Sequence, residues 1–456
     1  MVLASLTAET LAAAMVDVAA SHGYAGASVA RVLERSGVSR QAFYRHYSSR
    51  EECFLAAYRC AAAEVGGRLR EAVRRSTPAE RPEAAIAALL EALEERPAAA
   101  RMLFVEALGA CAAVRAEHER QLAGIERAAE RFLRDPGAPA LRAPPAALLG
   151  GISGVLSARI LSGGAGGEED LFARADGGED LRAGLLAWVR SYESADAPGS
   201  CSFAPLSRAK EQPAPEPEPG RAGGPLRATE VQLLPRGPSA LPPALAGGAR
   251  RARILAATMR QTAARGYANL TVADVVADAR VPRAAFYAHF AGKQEAFLAA
   301  QTLGLRESIA AASSEFATGR SWPERVWRGL AALLDYLAAH PDLARLCLLE
   351  AAAAGPAGVA RTNENRAAYA IFLAEGYRPG YHPGGRACPP PPLGSEATIA
   401  AIEALLASYL RRGAGIPVRE ALPRCAYVAL APFLGPEAAL EWLAEADAAP
   451  SPSRPS

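Results

Sequence analysis

Uninterrupted hydrophobic runs are missing from this 456-residue chain: no stretch of 18 apolar residues occurs, so no membrane span is expected. Lysine is nearly absent, with only Lys210 and Lys293 in a basic set that is otherwise arginine, and the net charge is just +2. So weak an overall charge excludes long-range attraction to polyanions as the main mode of action; any nucleic-acid affinity must sit in local patches. Aromatic residues are scarce at 6%, while half the chain is hydrophobic and rich in alanine, which favours closely packed helices over β-sandwiches. The seven cysteines, Cys53, Cys60, Cys111, Cys201, Cys347, Cys388 and Cys425, are odd in number and form no C-x-x-C. Neither a disulfide framework nor a zinc site is indicated, and a reducing cytoplasm is the expected setting. The first residues lack a charged segment followed by an apolar core, so no signal peptide is expected. The six histidines show no H-x-x-x-H, and no P-loop, G-x-S-x-G or paired-carboxylate motif stands out. An enzyme is disfavoured, and no cofactor or metal is expected.

What is present is one unusual stretch, Gly37-Val38-Ser39-Arg40-Gln41-Ala42-Phe43-Tyr44-Arg45-His46-Tyr47, followed by Ser48-Ser49-Arg50-Glu51-Glu52. It reads as a tight turn, a short helix and the start of another. Ser39 suits an N-cap, and Ser49 with Glu52 fits a capping box ahead of the apolar Phe54-Leu55. Between the caps, Phe43 and Tyr47 can anchor the helix while Arg40, Gln41, Tyr44, Arg45 and His46 are polar. So little apolar surface makes sense if the outer face meets another molecule. Upstream, residues 8–22 carry Leu11, Met15, Val18 and Ala19 on one helical face and stop at Gly23. A second helix follows over residues 28–35, capped by Ser28. Two short helices joined by a glycine-containing turn form the pattern of a helix-turn-helix.

The stretch returns. Val281-Pro282-Arg283-Ala284-Ala285-Phe286-Tyr287-Ala288-His289-Phe290 lies 243 positions on, and residues 28–57 share 14 identities in 30 with residues 271–300. Gly23-Tyr24-Ala25 likewise returns as Gly266-Tyr267-Ala268, and Arg96-Pro97 up to Glu106 parallels His340-Pro341 up to Glu350. A whole two-part unit is duplicated. In the second copy, helix one is expected over residues 253–265, Thr271 with Asp274 caps helix two, the third helix runs from Pro282 to Phe290, and Lys293 opens the fourth. Length alone already calls for more than one core. The expected organisation is all-α: headpiece one over residues 6–58, a helical part over 59–193, a linker over 194–249, headpiece two over 250–301, a second helical part over 302–447 and a tail over 448–456. The linker is Pro-, Gly- and Ala-rich and cannot bury enough apolar surface to fold; its average span of about 40 Å lets the halves pair. Small apolar residues from Gly150 to Leu161 suit close helix–helix contact.

These residues resemble, twice over, the TetR (tetracycline-repressor-like) family of bacterial transcriptional regulators. The family pattern is a Thr- or Ser-opened helix two, a turn, a third helix ending in F-Y-x-H-F, and a Lys- or Arg-opened fourth helix. Here it reads Ser28, Val38-Ser39, Phe43-Tyr44-Arg45-His46-Tyr47 and Arg50, then Thr271, Val281-Pro282, Phe286-Tyr287-Ala288-His289-Phe290 and Lys293. The resemblance implies an all-α fold of two fused units, each a helix-turn-helix headpiece with a helical domain for dimerisation and ligand binding. It implies that Tyr44, His46, Tyr287 and His289 face DNA phosphates, with Arg50 and Lys293 doing so at helix N-termini. Ser28 and Thr271 would touch the backbone at the start of helix two. Base edges would be met by Ser39, Arg40, Gln41 and Arg283, since Arg suits guanine and Gln suits adenine in the major groove; Arg45 could equally be solvated.

The copies differ where reading would happen: Gly37, Ser39, Gln41 and Arg45 become Arg280, Pro282, Ala284 and Ala288. Conversely, Arg250, Arg251 and Arg253 place a basic cluster before helix one of the second copy, suited to backbone contact. Copy one is thus expected to supply direct readout and copy two backbone affinity. The resemblance further implies a repressor on a pseudo-palindromic operator, built as an intramolecular pseudodimer or a homodimer of chains, with reading helices about 34–36 Å apart. A small-molecule effector pocket is implied in the helical parts, with Met102, Phe104 and Trp188, and Trp322, Trp327, Tyr336 and Phe372, as candidate lining. An interaction protein in which one headpiece has lost DNA binding is the alternative.

Overall fold

The computed structural model describes residues 2–163, 181–194, 243–377, 393–413 and 415–448. Most of the expected linker and tail lies outside the described residues. Those described form helices and turns, with one isolated bridge between Leu141 and Glu193 and no strand.

Headpiece one contains α1 (Val2–Gly26), α2 (Val29–Ser36), α3 (Arg40–His46) and the start of α4 (Arg50–Arg75). The expected stop at Gly23 appears as a break inside α1, where Gly23 takes φ 71° and ψ 165°, a region that favours glycine. Ser28, Ser39 and Ser49 each cap a helix through the side-chain oxygen, accepting from the N–H of Arg31, Ala42 and Glu52. The capping box expected at Ser49 is displaced by one residue. Glu52 reaches back to Ser48, accepting from its N–H at 2.7 Å and its hydroxyl at 2.6 Å. Under the caps lies one core: Leu11, Met15, Val32, Phe43 and Phe54 are all fully buried. Burying each such side chain contributes roughly 1.5–3 kcal/mol, which lets a five- to eight-residue helix persist though it would not form alone.

The helical part of this half follows as α5 (Arg81–Glu95), α6 (Pro97–Arg101), α7 (Ala112–Phe132), α8 (Pro145–Ser162) and α9 (Leu181–Arg190). Between α6 and α7 the chain passes through a π-helical turn (Met102–Glu106) and a 3₁₀ turn (Ala107–Gly109). The second half repeats the order: α10 (Pro243–Arg265), α11 (Val272–Ala279), α12 (Arg283–Tyr287), α13 (Lys293–Phe316), α14 (Trp322–Ala339), α15 (Pro341–Arg345), α16 (Pro356–Ala370), α17 (Leu393–Arg411), α18 (Val418–Leu434) and α19 (Pro436–Ala448). Helix α10 begins ten residues before the expected start at Arg253, so its first turns fall within the stretch expected as linker. Helix α12 ends at Tyr287 rather than Phe290. The capping box at Thr271 and Asp274 forms in full. A second headpiece core gathers Ile254, Leu270, Val275, Phe286 and Phe297.

The third core spans both halves. Leu148, Val155, Trp188 and Tyr192 from the first share it with Ala397, Leu405, Tyr427 and Leu430 from the second. Helix α8 lies against α17, and the expected close approach occurs at Gly150 and Gly154. A Cβ at Gly150 would come within 2.1 Å of the Ala404 Cβ, and one at Gly154 within 2.3 Å of the Ala400 Cβ. The Trp188 indole N–H donates to Thr398 Oγ1 at 3.0 Å, and the Tyr192 hydroxyl donates to the Val428 carbonyl at 2.9 Å. Both buried polar groups are thereby satisfied across the seam. By length and mean hydropathy α8 and α17 could each cross a membrane, against the expectation drawn from uninterrupted runs. Their apolar faces are spent on each other and on the shared core.

Candidate nucleic-acid interface

Each headpiece turns one face outward. On α3, Phe43 is fully buried while Arg40, Gln41, Tyr44 and Arg45 are exposed and His46 is half-buried. On α12, Phe286 is fully buried and Arg283 and Tyr287 are exposed, with His289 half-buried in the turn that follows. The outer faces share one device. The Arg40 guanidinium lies 5.7 Å from the Tyr44 ring centre, and Arg283 lies at the same distance from Tyr287. This i, i+4 stack stiffens an exposed arginine at one helical turn's spacing. Each tyrosine also meets the buried phenylalanine edge-on, at 5.2 and 5.4 Å between ring centres. Exposed arginine, glutamine and tyrosine on a rigid short helix offer donors to base edges and phosphates.

Several of the side chains expected at DNA make contacts within their own headpiece. Arg50 and Lys293 do open α4 and α13, but both reach back to the first turn of their own headpiece. Arg50 stacks 4.7 Å from the Tyr24 ring centre, donates to the Tyr24 carbonyl at 3.4 Å and pairs with Glu51 at 2.9 Å. Lys293 lies 4.8 Å from the Tyr267 ring centre and donates to the carbonyls of Tyr267, Ala268 and Leu270 at 3.2, 3.4 and 3.0 Å. Burial holds its ammonium below the usual lysine range. Ser28 and Thr271 use their side-chain oxygens as caps, and the Thr271 hydroxyl also donates to Asp274 at 2.5 Å.

Arg253 departs furthest from expectation. Its Nε and Nη2 donate to the Ala279 carbonyl, and Nη2 also reaches that of Arg280. Carbonyls at the C-terminus of α11 have no partners within their helix, and a guanidinium supplies them. Arg253 is therefore a brace within headpiece two. Arg251 stays exposed, over the Phe290 ring at 5.5 Å.

Sequence reasoning missed a pair of carboxylates that hold the headpieces to the helical parts. Glu106 accepts from the Tyr24 N–H at 2.8 Å, and Glu350 from the Tyr267 N–H at 2.9 Å. Each sits at the end of a π-helical turn, Met102–Glu106 in the first half and Leu346–Glu350 in the second, the signal being the parallel already visible between the two tracts. Glu106 is 1% exposed and pairs with Arg101 of its own half at 3.2 Å; burial raises its pKa above the usual carboxylate range. Glu350 instead pairs at 3.3 Å with Arg115 of the first half.

A cavity of about 110 Å³ lies inside the second half, walled by residues such as Phe316, Leu330, Leu337, Leu348, Phe372 and Ile402. Of the expected lining residues it includes Phe372 alone. Trp188 sits at the seam between halves and Trp322 donates to the Phe372 carbonyl. Trp327 packs on Trp442, Tyr336 bonds Glu307, and Met102 and Phe104 belong to core. The cavity's polar atoms include the buried Asn365, whose Oδ1 has no hydrogen-bond partner, and the Ser308–Tyr369 hydroxyl pair at 2.6 Å.

The family model described as bacterial regulatory proteins, tetR family, matches this chain twice, over residues 11–57 and 254–300. Among solved structures the chain is similar to the fatty acid degradation regulator FadR from Bacillus halodurans, at 14% identity and a TM-score of 0.35 over 40% of this chain and 94% of that one. A putative TetR-family regulator from Syntrophomonas wolfei gives 18% identity and 0.35 over 40% and 92%. A TetR-family regulator from Marinobacter aquaeolei gives 20% and 0.34 over 41% and 97%. No curated protein matches.

Proposed function

This chain carries the TetR-family unit twice in tandem, and from that premise we propose a DNA-binding repressor whose two headpieces read one pseudo-palindromic operator. The headpieces enter neighbouring major grooves, as a covalent pseudodimer acting in the cytoplasm. The observation that carries this reading is the shared core, in which α8 and α9 of one half pack on α17 and α18 of the other. A regulator of this kind needs two reading helices at a fixed separation, about one helical turn of duplex apart, and a seam built within one chain supplies that without a second chain. Arg40, Gln41, Tyr44 and Arg45, with Arg283 and Tyr287, are the proposed DNA-facing side chains, with Ser39, His46 and His289 beside them. Arg50, Lys293, Ser28 and Thr271 add at most a secondary phosphate contact, since their polar groups already serve the headpiece.

The cavity in the second half supports release by a small, largely apolar effector that carries a hydrogen-bond donor. At about 110 Å³ it is somewhat smaller than a cavity that takes up benzene, and Asn365 Oδ1 awaits a hydrogen-bond donor. Selecting bound sites from a random duplex pool tests the reading, with the mass of the complex measured by light scattering. One chain per duplex with two unlike half-sites is expected. Two chains per duplex would replace the pseudodimer with a four-headpiece dimer, and no bound duplex at low salt would remove the proposal. A second reading, an interaction protein with one headpiece retired from DNA, is favoured by Ala284 on the short α12 and Ala288 just past its end. Selected sites with a single conserved half would support it.

A further inference from the structure

The turn joining α11 to α12 holds the one residue other than glycine with positive φ among the described residues: Arg280, at φ 52° and ψ 48°. At the matching place in headpiece one, Gly37 takes φ 66° and ψ 9°. The turn itself asks only for a left-handed residue, which glycine supplies freely and an L side chain supplies at a cost. Headpiece two carries the arginine nonetheless, together with a second change that offsets it. Position 253 matches Thr10, whose hydroxyl merely bonds the Leu6 carbonyl of its own helix. Arg253 instead spans to the carbonyls of Ala279 and Arg280 and fastens the strained turn from below. Headpiece one makes this turn with Gly37 alone, whereas headpiece two uses Arg280 braced by Arg253.

The Arg280 side chain is exposed, and no ion pair or hydrogen bond engages its guanidinium among the described residues. It stands three positions ahead of Arg283, at the entry to α12, on a headpiece that lacks counterparts of Gln41 and Arg45. Resting on the DNA-binding reading above, we infer that Arg280 is a further DNA contact of headpiece two, gripping a backbone phosphate at the rim of the groove. A long flexible guanidinium on a turn outside the helix suits phosphate, which it can meet with two parallel donors. It restores to this headpiece the positive charge lost where Arg45 gives way to Ala288.

The test compares wild-type chain with Arg280→Gly and Arg280→Lys on a random-sequence duplex, titrated between about 50 and 200 mM salt, alongside thermal unfolding. Arg280→Gly matches headpiece one, so it should unfold at the same or a higher temperature. It should bind about three- to tenfold more weakly at low salt, with a salt slope shallower by about one. Arg280→Lys, which keeps the charge but not the paired donors, should keep the salt slope and lose part of the affinity. On a selected site, the loss should be uniform across base substitutions. Unchanged affinity and slope in Arg280→Gly, with wild type binding, would leave Arg280 a mere turn residue while DNA binding stands. A loss confined to one base pair would make it a base reader and overturn the phosphate assignment. Wild type that shifts no duplex would remove both readings together.

Discussion

The two headpieces share a skeleton and differ in skin. Phe43 and Phe286, Phe54 and Phe297, and Leu11 and Ile254 fill matching core places, and the Arg–Tyr stack recurs at 5.7 Å in both. Outside the core the copies diverge. The first keeps Ser39, Gln41 and Arg45 around a seven-residue α3; the second has Pro282, Ala284 and Ala288 around a five-residue α12. Core positions tolerate little change because a lost methylene leaves a cavity that neighbours cannot fill. An outward residue has no such neighbours, so a duplicated unit can lose or gain contacts there without unfolding. The copies therefore teach where folding ends and recognition begins.

That comparison can be broken by four measurements. The largest effect is expected in the shared skeleton: Phe43→Ala and Phe286→Ala should each cost about 3–5 kcal/mol in chemical unfolding. Clearly unequal costs would show that the cores are not equivalent. Next comes a contrast in acid. Burial pushes the His118 imidazole, bonded to the Tyr58 hydroxyl at 3.0 Å, down to about 4 from 6.5. Because the folded value is the lower one, the unfolded chain binds more protons between them. Stability from this group is complete above about 6.5 and lost as pH falls towards about 4, up to roughly 3 kcal/mol. The second half has Gln301 at the place of Tyr58 and no histidine on α16. His118→Gln should flatten the acid limb, and an unaltered limb would assign it to other groups.

A smaller effect separates the outer faces. Gln41→Ala or Arg40→Ala should relax base preference at one half-site by about 1–3 kcal/mol per contact, read by binding to variant duplexes. Equal relaxation at both half-sites would contradict the division of labour between the copies. The smallest concerns the caps. Thr271→Ala removes a reciprocal capping box, whereas Ser28→Ala removes a single bond. Losses of about 1 kcal/mol and somewhat less are expected from thermal unfolding; the reverse order would show that reciprocity adds nothing.

Much of the headpiece was legible beforehand because its signals are local. Ser28, Ser39, Ser49 and Thr271 cap helices through atoms within four residues. Gly23 marks a break that only its own backbone needs. The repeat supplied independent copies of each signal. The intramolecular partners of Arg50, Lys293 and Arg253 were not legible, since a basic residue near a helix start looks alike whether it faces phosphate or a carbonyl. Those partners lie some 23–27 positions away. The effector pocket was harder still, because large aromatics such as Trp188 fill a seam as readily as they line a cavity.

By itself the sequence determined that this protein is built twice from one helical plan, with caps, turns and buried phenylalanines in place, because those choices are settled between near neighbours. Only the tertiary structure decided that α8 of one half seats against α17 of the other, that Glu350 pairs with Arg115 across that divide, and that Arg253 serves a turn. Those partners lie far apart along the chain, and only the folded packing of helices brings them within bonding distance.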